Sequence, residues 1–487
     1  MQKKFLSNLL LLVGLNLIIK PVSLFVIDAN VQNHVGEQAY GIYFALLNLS
    51  FMFNMVLDLG INNFTTKKVA QYPKTTKKYF SHIIGYRWVL FLLYAGITFS
   101  LGLFMQLDAS EWNILLWLIV NQFFVTNIAY FRSHFQGLHL FKTDAIFSAL
   151  DRFLLILFGA YLLFIKQDFT IIDFVYCQTF AYAFSFLFAW LSLRQKLGFT
   201  IPKWNFRFFI VVLKKSFPFA LLVLLMMIYN RQDGFLLAIL NRNGDFEVGV
   251  YAQAYRLIDA FYMFGMLFAN LLYPIFSKLL KNDTADLKPL IAMAFRILLN
   301  ASMMLFMFSM FYGEMYLSWI YTANVEQTNV VNLLLLNGFI AMGFTLIFGT
   351  LLTANGNLKQ LQWISFFAIL INLALNLILD PLYGAIGAAL AFLCTQWFVG
   401  LMNYYYAQTL FRLLPSGIYA LKFIGMYGTL ACTLYLLPKS TVYLGIEIGI
   451  ASIMMLGLGM IQPQFLKSLM NKTNSLKFTI EKKEPKK

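Results

Sequence analysis

Fourteen apolar stretches, each of roughly the length that a membrane-spanning helix requires, divide this chain from end to end. A hydrocarbon core about 30 Å thick is crossed by about 20 apolar residues in helical form. Since this core contains no water, a spanning helix must satisfy its own backbone amides. We therefore expect an all-α polytopic membrane protein with about 14 transmembrane helices. The stretches cover residues 6–27, 40–60, 80–105, 112–136, 143–165, 171–193, 216–240, 249–276, 289–312, 330–354, 361–380, 383–410, 416–436 and 441–462.

Composition supports this class and excludes several others. Of the 487 residues, 60% are hydrophobic and only 12% are charged, which lies outside the range of soluble globular proteins. Cys177, Cys394 and Cys432 lie far apart inside apolar stretches and show neither a disulfide framework nor metal-ligand spacing. The loops are too short for a soluble catalytic domain, and the sequence has no Gly-x-x-x-x-Gly-Lys-Ser/Thr motif. We therefore predict no enzyme activity, no cofactor and no metal site.

The positions of the basic residues predict how the helices are oriented. When the loops are assigned alternately to the two sides, 27 Lys or Arg residues fall on one side and 3 on the other, with 7 inside the stretches. The positive-inside rule places the basic side in the cytoplasm. Both termini are then predicted to be cytoplasmic. The net charge of +16 is explained by this orientation, and it does not indicate a nucleic-acid partner.

The stretch from Ser216 to Leu240 carries Arg231 and Asp233 past its middle. A charged side chain near a helix centre costs about 2.5 to 3.5 kcal/mol on insertion scales, so neither residue should face lipid. Two residues apart on a helix, they point about 200° away from each other and cannot pair. Each therefore needs water or a partner on another helix, which predicts a polar cavity inside a helical bundle.

Other polar residues inside the stretches are candidates for the same cavity. Because cations predominate among them, we expect a phosphate-bearing or otherwise anionic substrate. Arg256 and Asp259 lie one turn apart, so a structural bridge within their helix is an alternative. The predicted substrate contacts are Asn16, Lys20, Arg152, Asn230, Arg231 and Arg256, and the candidate ion-coupling carboxylates are Asp233 and Asp259.

Two further sets of polar residues are predicted to be structural. Arg87, Arg132 and Arg296 lie nearer helix ends, where long side chains can reach the membrane interface. A polar stripe on the eleventh stretch could face the cavity, but we interpret it as a contact between two helices. It consists of Asn372, Asn376 and Asp380.

An internal repeat predicts two lobes. An offset of 208 residues aligns three pairs of identical residues: Gly41 with Gly249, Tyr43 with Tyr251, and Asn62 with Asn270. The members of each pair are six helices apart, so the two sets of six helices run in the same direction. Such parallel repeats, related by a pseudo-two-fold axis, are a transporter architecture with the substrate site between the halves. The predicted parts are an N-terminal lobe at 1–193, a basic cytoplasmic linker at 194–215, a C-terminal lobe at 216–410, two extra helices at 411–462 and a disordered basic tail at 463–487.

Several short motifs resemble the multidrug/oligosaccharidyl-lipid/polysaccharide exporter superfamily, and within it the Wzx-type polysaccharide flippases. The resemblance runs from about residue 5 to 462. In the first lobe it rests on Gly14-Leu15-Asn16-Leu17-Ile18-Ile19-Lys20-Pro21, Val35-Gly36-Glu37-Gln38-Ala39-Tyr40-Gly41 and Leu57-Asp58-Leu59-Gly60-Ile61-Asn62. In the second lobe it rests on the Asp233 region, Val248-Gly249-Val250-Tyr251 and Tyr383-Gly384-Ala385-Ile386-Gly387-Ala388-Ala389.

The resemblance implies a flippase of the bacterial inner membrane. Its substrate would be an undecaprenyl-pyrophosphate-linked oligosaccharide, which moves from the cytoplasmic to the periplasmic leaflet for surface polysaccharide synthesis. The implied partners are this polyprenyl-pyrophosphate-linked glycan, membrane lipid and other membrane proteins of polysaccharide assembly, and we expect a monomer. Cations of the cavity would hold the pyrophosphate or acidic sugars.

We expect the two lobes to rock about a midplane site, with Pro21 and the polar residue Asn230 as flexible points. An ion gradient could drive the return step. Two alternatives remain open. An ion-coupled drug or cation antiporter of the same superfamily should present carboxylates and aromatic rings in its cavity. A membrane sugar polymerase or ligase should carry catalytic residues in a large outer loop.

Overall fold

The regular structure is helical throughout the described residues of this computed structural model, which are residue 14 and residues 18–138, 140–166, 168–198, 202–282, 287–413 and 417–436. The α-helices are α1 Ala29–Met52, α2 Met55–Asp58, α3 Ile61–Gln71, α4 Thr76–Phe104, α5 Ala109–Gly137, α6 Phe141–Phe147, α7 Leu150–Tyr161, α8 Ile171–Leu197, α9 Phe206–Leu240, α10 Gly244–Asn282, α11 Leu287–Ile320, α12 Val325–Phe344, α13 Thr350–Asn355, α14 Leu358–Tyr383, α15 Ala385–Phe411 and α16 Gly417–Leu436. π-Helical turns cover Ser23–Asp28, Leu162–Lys166 and Thr345–Gly349, and a 3-10 turn covers Pro73–Thr75.

Twelve of the fourteen predicted stretches coincide with helices. Of the first stretch, 6–27, only residue 14 and residues 18–27 are described, and these are helical; the fourteenth, 441–462, lies outside the described residues. Among the described residues, 11 helical segments are long and apolar enough to cross a membrane. The first two stretches count as one of these, because they form a joined helical run, Ile18–Asp58. The apolar part of α16, Leu421–Cys432, is shorter than the others. The chain is an all-α polytopic membrane protein.

The predicted outer loop between the first two stretches is helical instead. Pro21 has no backbone N–H, which disturbs the regular hydrogen-bond ladder, and the chain continues as the π-helical turn Ser23–Asp28. It turns at Gly36, whose φ of +82° is readily adopted by glycine alone. Asp28 and Glu37 therefore lie on helices, where sequence patterning had predicted a loop.

A capping box sets the start of α5. The side chain of Asp108 accepts a hydrogen bond from the amide of Glu111 at 2.8 Å, and the side chain of Glu111 accepts one from the amide of Asp108 at 2.9 Å. The donating Glu111 amide lowers the pKa of the exposed Asp108 carboxyl below its usual range. Asp108 thus satisfies an amide of the first turn that would otherwise lack a partner.

The start of α9 corrects the predicted linker, 194–215. The helix begins at Phe206, ten residues before the predicted apolar stretch, because Asn205 caps it and the basic residues that follow are compatible with a helix. Directly before the cap, the ring of Trp204 packs against Tyr86 of α4 with a centroid distance of 4.9 Å. The segment that connects the two helices is therefore shorter than the predicted linker, and its Trp204 packs against the N-terminal lobe.

The two lobes meet where α1 crosses α10. A Cβ atom on Gly41 would overlap the backbone of Asp245, and a Cβ atom on Gly249 would overlap the backbone of Glu37. At the 208-residue offset, Gly41 corresponds to Gly249 and Glu37 corresponds to Asp245, so the two contacts are equivalent. Each helix thus presents the same surface to its counterpart, as around a two-fold axis. This is the geometry of two parallel six-helix repeats with a site between them.

Candidate functional site

A cavity of about 1060 Å³ is enclosed by segments of α3, α9, α10, α12, α13, α14 and α15. Much of its wall is apolar or aromatic, as for Phe219, Met226, Tyr255 and Tyr262. Polar residues are fewer, and only five of the lining residues are charged. The charged lining residues are Lys67, Lys68, Lys215, Arg231 and Asp259.

Arg231 and Asp259 form a bidentate ion pair between α9 and α10, at what we call the deep end of the cavity. Nη2 of Arg231 donates to Oδ1 of Asp259 at 2.9 Å, and Nη1 donates to Oδ2 at 3.3 Å. The guanidinium also lies over the rings of Phe51 and Tyr255, with centroid distances of 5.3 and 5.2 Å. Arg231 is 23% exposed and Asp259 is 31% exposed, so a ligand in the cavity can reach both. Asp259 is the partner on another helix that Arg231 requires.

Asn230 also lines the cavity, but it does not break its helix. Its Oδ1 accepts a hydrogen bond from Gln396 of α15 at 2.8 Å, and its backbone carbonyl accepts one from the hydroxyl of Tyr255 at 2.9 Å. Helix α9 runs through Asn230 without interruption, because the side chain amide is bonded to the carbonyl of Met226, one turn earlier. In this conformation Asn230 therefore lies in a continuous helix that is hydrogen-bonded to α10 and α15.

The other end of the cavity, its mouth, carries Lys67, Lys68 and Lys215. Lys215 and Arg231 are 16 residues apart on one helix, which corresponds to about 24 Å along its axis. Lys67 and Lys215 are exposed, so the cavity opens at this end. Among the lining residues, Asp259 is the only acidic one, and the described cavity is therefore cationic.

The close approach of α3 and α9 brings these lysines together. Leu59 and Gly60 have positive φ angles of 45° and 78°, which turn the chain between α2 and α3. A Cβ atom on Gly60 would lie 2.9 Å from the Cβ atom of Ser216, the neighbour of Lys215. Only a residue without a side chain allows this contact, and the contact holds the start of α3 against the segment of α9 that carries Lys215.

The remaining predicted cations lie elsewhere. Lys20 and Arg152 are half-buried in the N-terminal lobe and do not line the described cavity. Arg256 donates through Nη1 to the hydroxyl of Tyr321 at 2.8 Å and lies 4.6 Å from the ring centroid of Tyr40. Its Nη2 is buried without a partner among the described residues. Asn16 lies outside the described residues.

Asp259 lies one turn from Arg256, yet the pair that the sequence spacing allows is not formed. Asp259 points towards α9 and is held by Arg231, whereas Arg256 points across the lobe interface towards Tyr40. The spacing of Arg256 and Asp259 allows them to pair within α10, but it does not reveal whether another helix supplies a better partner for Asp259.

Asp233 belongs to a separate, buried polar cluster between α9 and α14. Its Oδ1 accepts hydrogen bonds from Asn372 at 2.8 Å and Asn376 at 3.0 Å, and the hydroxyl of Tyr251 lies 3.4 Å from its Oδ2. The polar stripe of α14 therefore joins two helices, as interpreted from the sequence. Asp380, at the end of the stripe, is 0% exposed, and neither of its carboxylate oxygens has a hydrogen-bond partner among the described residues.

Arg87 does not reach the membrane interface, contrary to the prediction. It is 2% exposed, donates to Asn127 at 2.8 Å and lies 3.8 Å from the carboxylate of Asp58. A nearby carboxylate makes burial of the guanidinium possible, and the sequence position alone did not reveal that carboxylate. Arg132 is paired with Asp144 at 2.7 Å. Arg296 is half-buried on α11.

Hydrogen bonds between the lobes close the space beyond the deep end. On α10 the cavity lining runs from Tyr255 to Tyr273, so Gly249 and Gln253 lie just outside it. The hydrogen bonds that join the two lobes here include Gln32 Nε2 to the carbonyl of Gly249 at 2.8 Å, Gln253 Nε2 to Glu37 Oε1 at 3.2 Å, and Asn33 Nδ2 to the carbonyl of Ile320 at 2.7 Å. In this conformation the cavity is open at the lysines and closed beyond Arg231.

The mouth lysines were missed by the sequence prediction. Each lies in a segment that the charge distribution assigned to cytoplasmic loops, where basic residues are expected. Gly60, the last residue of the predicted second stretch, was the available signal for a close helix contact. The described residues contain no group of three or more His, Cys, Asp or Glu side chains that could hold a metal ion.

Comparison with known proteins identifies a family and a fold. A family model for "Polysaccharide biosynthesis protein" matches residues 5–280. Among solved structures, "Lipid II flippase MurJ, inward closed conformation" aligns with a TM-score of 0.71 at 15% identity, over 95% of this chain and 100% of that one. No match is found among curated protein sequences.

Two multidrug and related transporter structures show the same fold. An inward-facing multidrug resistance MATE family transporter of the MOP superfamily aligns with a TM-score of 0.63 at 15% identity, over 79% of this chain and 94% of that one. A MOP superfamily transporter from Pyrococcus furiosus aligns with a TM-score of 0.57 at 14% identity, over 84% of this chain and 96% of that one. At these identities the likeness concerns the fold alone.

Proposed function

Since the chain belongs to the family of polysaccharide biosynthesis proteins, with the fold of MOP superfamily transporters, we propose that it flips a lipid-linked oligosaccharide across the cytoplasmic membrane. The proposed substrate is an undecaprenyl-pyrophosphate-linked glycan. The observation that carries the proposal is the cationic cavity, in which four Lys or Arg side chains face one carboxylate. Diphosphate oxygens are strong acceptors for such groups.

We propose that the described conformation is open to the cytoplasm. The mouth lysines belong to the basic set of loops, which the positive-inside rule assigns to the cytoplasmic side. The lobe contacts beyond Arg231 would then close the periplasmic side. In alternating access these contacts break while the mouth closes, and the site itself stays near the midplane. The prenyl chain would remain in the bilayer throughout, so that only the headgroup crosses through the cavity.

Arg231 is proposed as the deep contact of the diphosphate. Because Asp259 already occupies its guanidinium in a bidentate pair, the ligand has to displace that carboxylate. Asp259 is one turn from Arg256, which is buried and has an unpartnered Nη2 among the described residues. We propose that the released Asp259 turns to Arg256 and draws it away from Tyr40 and Tyr321. Ligand binding would thereby weaken a contact that holds the lobes together.

The return step is proposed to use a cation gradient through the buried cluster at Asp233. An unpaired carboxylate at Asp380 is costly in a membrane interior, and a proton or Na⁺ would remove that cost. Asn376 adds an unpartnered, buried Oδ1 next to Asp233. Asp259 is less suited to this role, since Arg231 already neutralises it. Lys20, Arg152 and Arg256 are proposed as substrate contacts of the conformation that is open on the opposite side.

Transport of organic cations is the second candidate, because aromatic rings such as Tyr255 and Tyr262 line the cavity together with Asp259. The lining holds four cationic side chains and one carboxylate, and this net positive charge argues against it.

A direct test uses purified protein in proteoliposomes with two cargoes. One is a fluorescent polyprenyl-diphosphate oligosaccharide, and the other is a fluorescent organic cation. We expect protein-dependent movement of the lipid-linked oligosaccharide and none of the dye. Movement of the dye alone would overturn the proposed function in favour of a cation exporter.

A further inference from the structure

The cavity has two cationic levels that differ in their availability to a ligand. At the deep end, both Nη atoms of Arg231 are engaged by Asp259. At the mouth, Lys67, Lys68 and Lys215 form no ion pair with a carboxylate in the described parts of the chain. The mouth therefore carries the cations to which an incoming anion can bind without displacing a protein carboxylate.

The mouth lysines also differ from the other lysines of the same region. Lys74, Lys77 and Lys78 follow α3 directly and are exposed, but they do not line the cavity. Lys67 and Lys68 lie on α3, which the contact between Gly60 and Ser216 holds against α9. The positive-inside rule explains why lysines are frequent in cytoplasmic loops. It does not explain the contact between Gly60 and Ser216, which lie about 150 positions apart in the chain.

The distance between the two levels separates them into successive sites. About 24 Å of helix lies between Lys215 and Arg231, which is several times the length of a diphosphate group. A single diphosphate group therefore cannot touch Lys215 and Arg231 at once. Exposed lysines attract an anion at long range in an ionic-strength-dependent manner, whereas Arg231 offers a planar, bidentate contact in a drier place.

We propose that Lys67, Lys68 and Lys215 form a docking site that receives the diphosphate of the lipid-linked substrate before it moves to Arg231. This inference rests on the proposed function and adds to it the residues that capture the headgroup. Lysine ammonium groups are compact charges on flexible stems, suited to an anion that arrives in variable orientations. Their contribution is to the rate of association, since a rim charge mainly steers the encounter.

The experiment compares two triple variants of the full chain in nanodiscs. One replaces the mouth lysines (K67Q/K68Q/K215Q), and the matched control replaces the neighbouring exposed lysines (K74Q/K77Q/K78Q). The probe is a fluorescent farnesyl diphosphate, mixed by stopped flow at low and at high salt. Inorganic pyrophosphate and phosphatidylglycerol serve as competitors, so that a diphosphate site can be distinguished from a site for phospholipid headgroups.

We expect the mouth variant to associate at least about tenfold more slowly at low salt, with most of its salt dependence lost. The control variant should behave as the unmodified protein. Pyrophosphate should compete and phosphatidylglycerol should not. Equal association by both variants, or equal competition by phosphatidylglycerol, would overturn the docking site while leaving the proposed function intact. Failure of the unmodified protein to bind the farnesyl diphosphate would overturn the proposed function itself.

Discussion

Gly41 and Gly249 lie against each other at the crossing of α1 and α10, where a Cβ atom on Gly41 would come within 2.8 Å of the backbone nitrogen of Gly249. The same two residues are aligned by the internal repeat of the sequence. The contact joins the lobes beyond the deep end of the cavity, so it should stabilise the conformation that is closed there.

Alanine at either glycine should destabilise this crossing by similar amounts. The added methyl group would overlap backbone in both cases, and overpacking of this kind costs about 1 to 3 kcal/mol. Thermal unfolding of Gly41→Ala and Gly249→Ala tests the expectation. Gly96→Ala is the matched control, because nothing lies within 4 Å of a Cβ atom there. Equal melting temperatures for Gly41→Ala and Gly96→Ala would contradict the close crossing.

The ion pair between Arg231 and Asp259 should behave as a coupled unit. Removing one partner leaves an uncompensated charge in a mostly apolar surrounding, which costs up to about 3 to 5 kcal/mol when the pair is fully buried. Because both side chains are partly exposed, we expect a smaller loss for Arg231→Gln and for Asp259→Asn. The double variant should recover part of it. Melting temperatures of the four proteins give the coupling energy, and strictly additive losses would exclude a pair.

Asp380 should confer a response to cations. A cation that binds the folded protein stabilises it by mass action, and the two unpartnered oxygens of Asp380 provide a place for it. We expect the melting temperature to rise when Na⁺ replaces choline or when the pH is lowered. Asp380→Asn should abolish that rise, whereas the exposed control Asp168→Asn should keep it. A rise that persists in Asp380→Asn would rule out this carboxylate as the site.

Arg87 should matter for stability and not for transport. Its guanidinium is buried beside Asn127 and Asp58, so Arg87→Gln leaves the partly buried Asp58 carboxylate without its cation and should cost up to about 3 to 5 kcal/mol. The folded fraction of Arg87→Gln should transport the proposed substrate at the same rate per molecule as the protein without the substitution. The measurement is transport normalised to the folded fraction. A loss of normalised transport would show that Arg87 takes part in the transport cycle.

The sequence predicted the helical class and the position of most spanning segments, because the bilayer imposes both a length and an apolar composition on them. It was less informative where polar residues continue a helix. Glu37 and Arg207 were placed in loops, yet both lie on helices, since caps and tertiary contacts decide helix ends more strongly than charge does.

The candidate site was predicted in part. Arg231 was identified because a guanidinium deep in an apolar helix needs a partner or water. The mouth lysines were not, because their meeting depends on packing at Gly60 and Ser216, which lie far apart in the chain. The choice of Arg231 over Arg256 as the partner of Asp259 likewise depends on how α9 and α10 are packed, and residue spacing on α10 alone cannot determine it.

The most direct test of the cationic cavity is flipping of the fluorescent polyprenyl-diphosphate oligosaccharide by Arg231→Gln in proteoliposomes. Arg242→Gln, which removes an exposed arginine close to the end of the same helix, is the control for a simple change of net charge. We expect Arg231→Gln to lower the transport rate of the folded protein at least about tenfold, equivalent to about 1.4 kcal/mol, and Arg242→Gln to leave it unchanged. If folded Arg231→Gln transports the substrate at the same rate as the protein without the substitution, this result would contradict a diphosphate site at the deep end of the cavity.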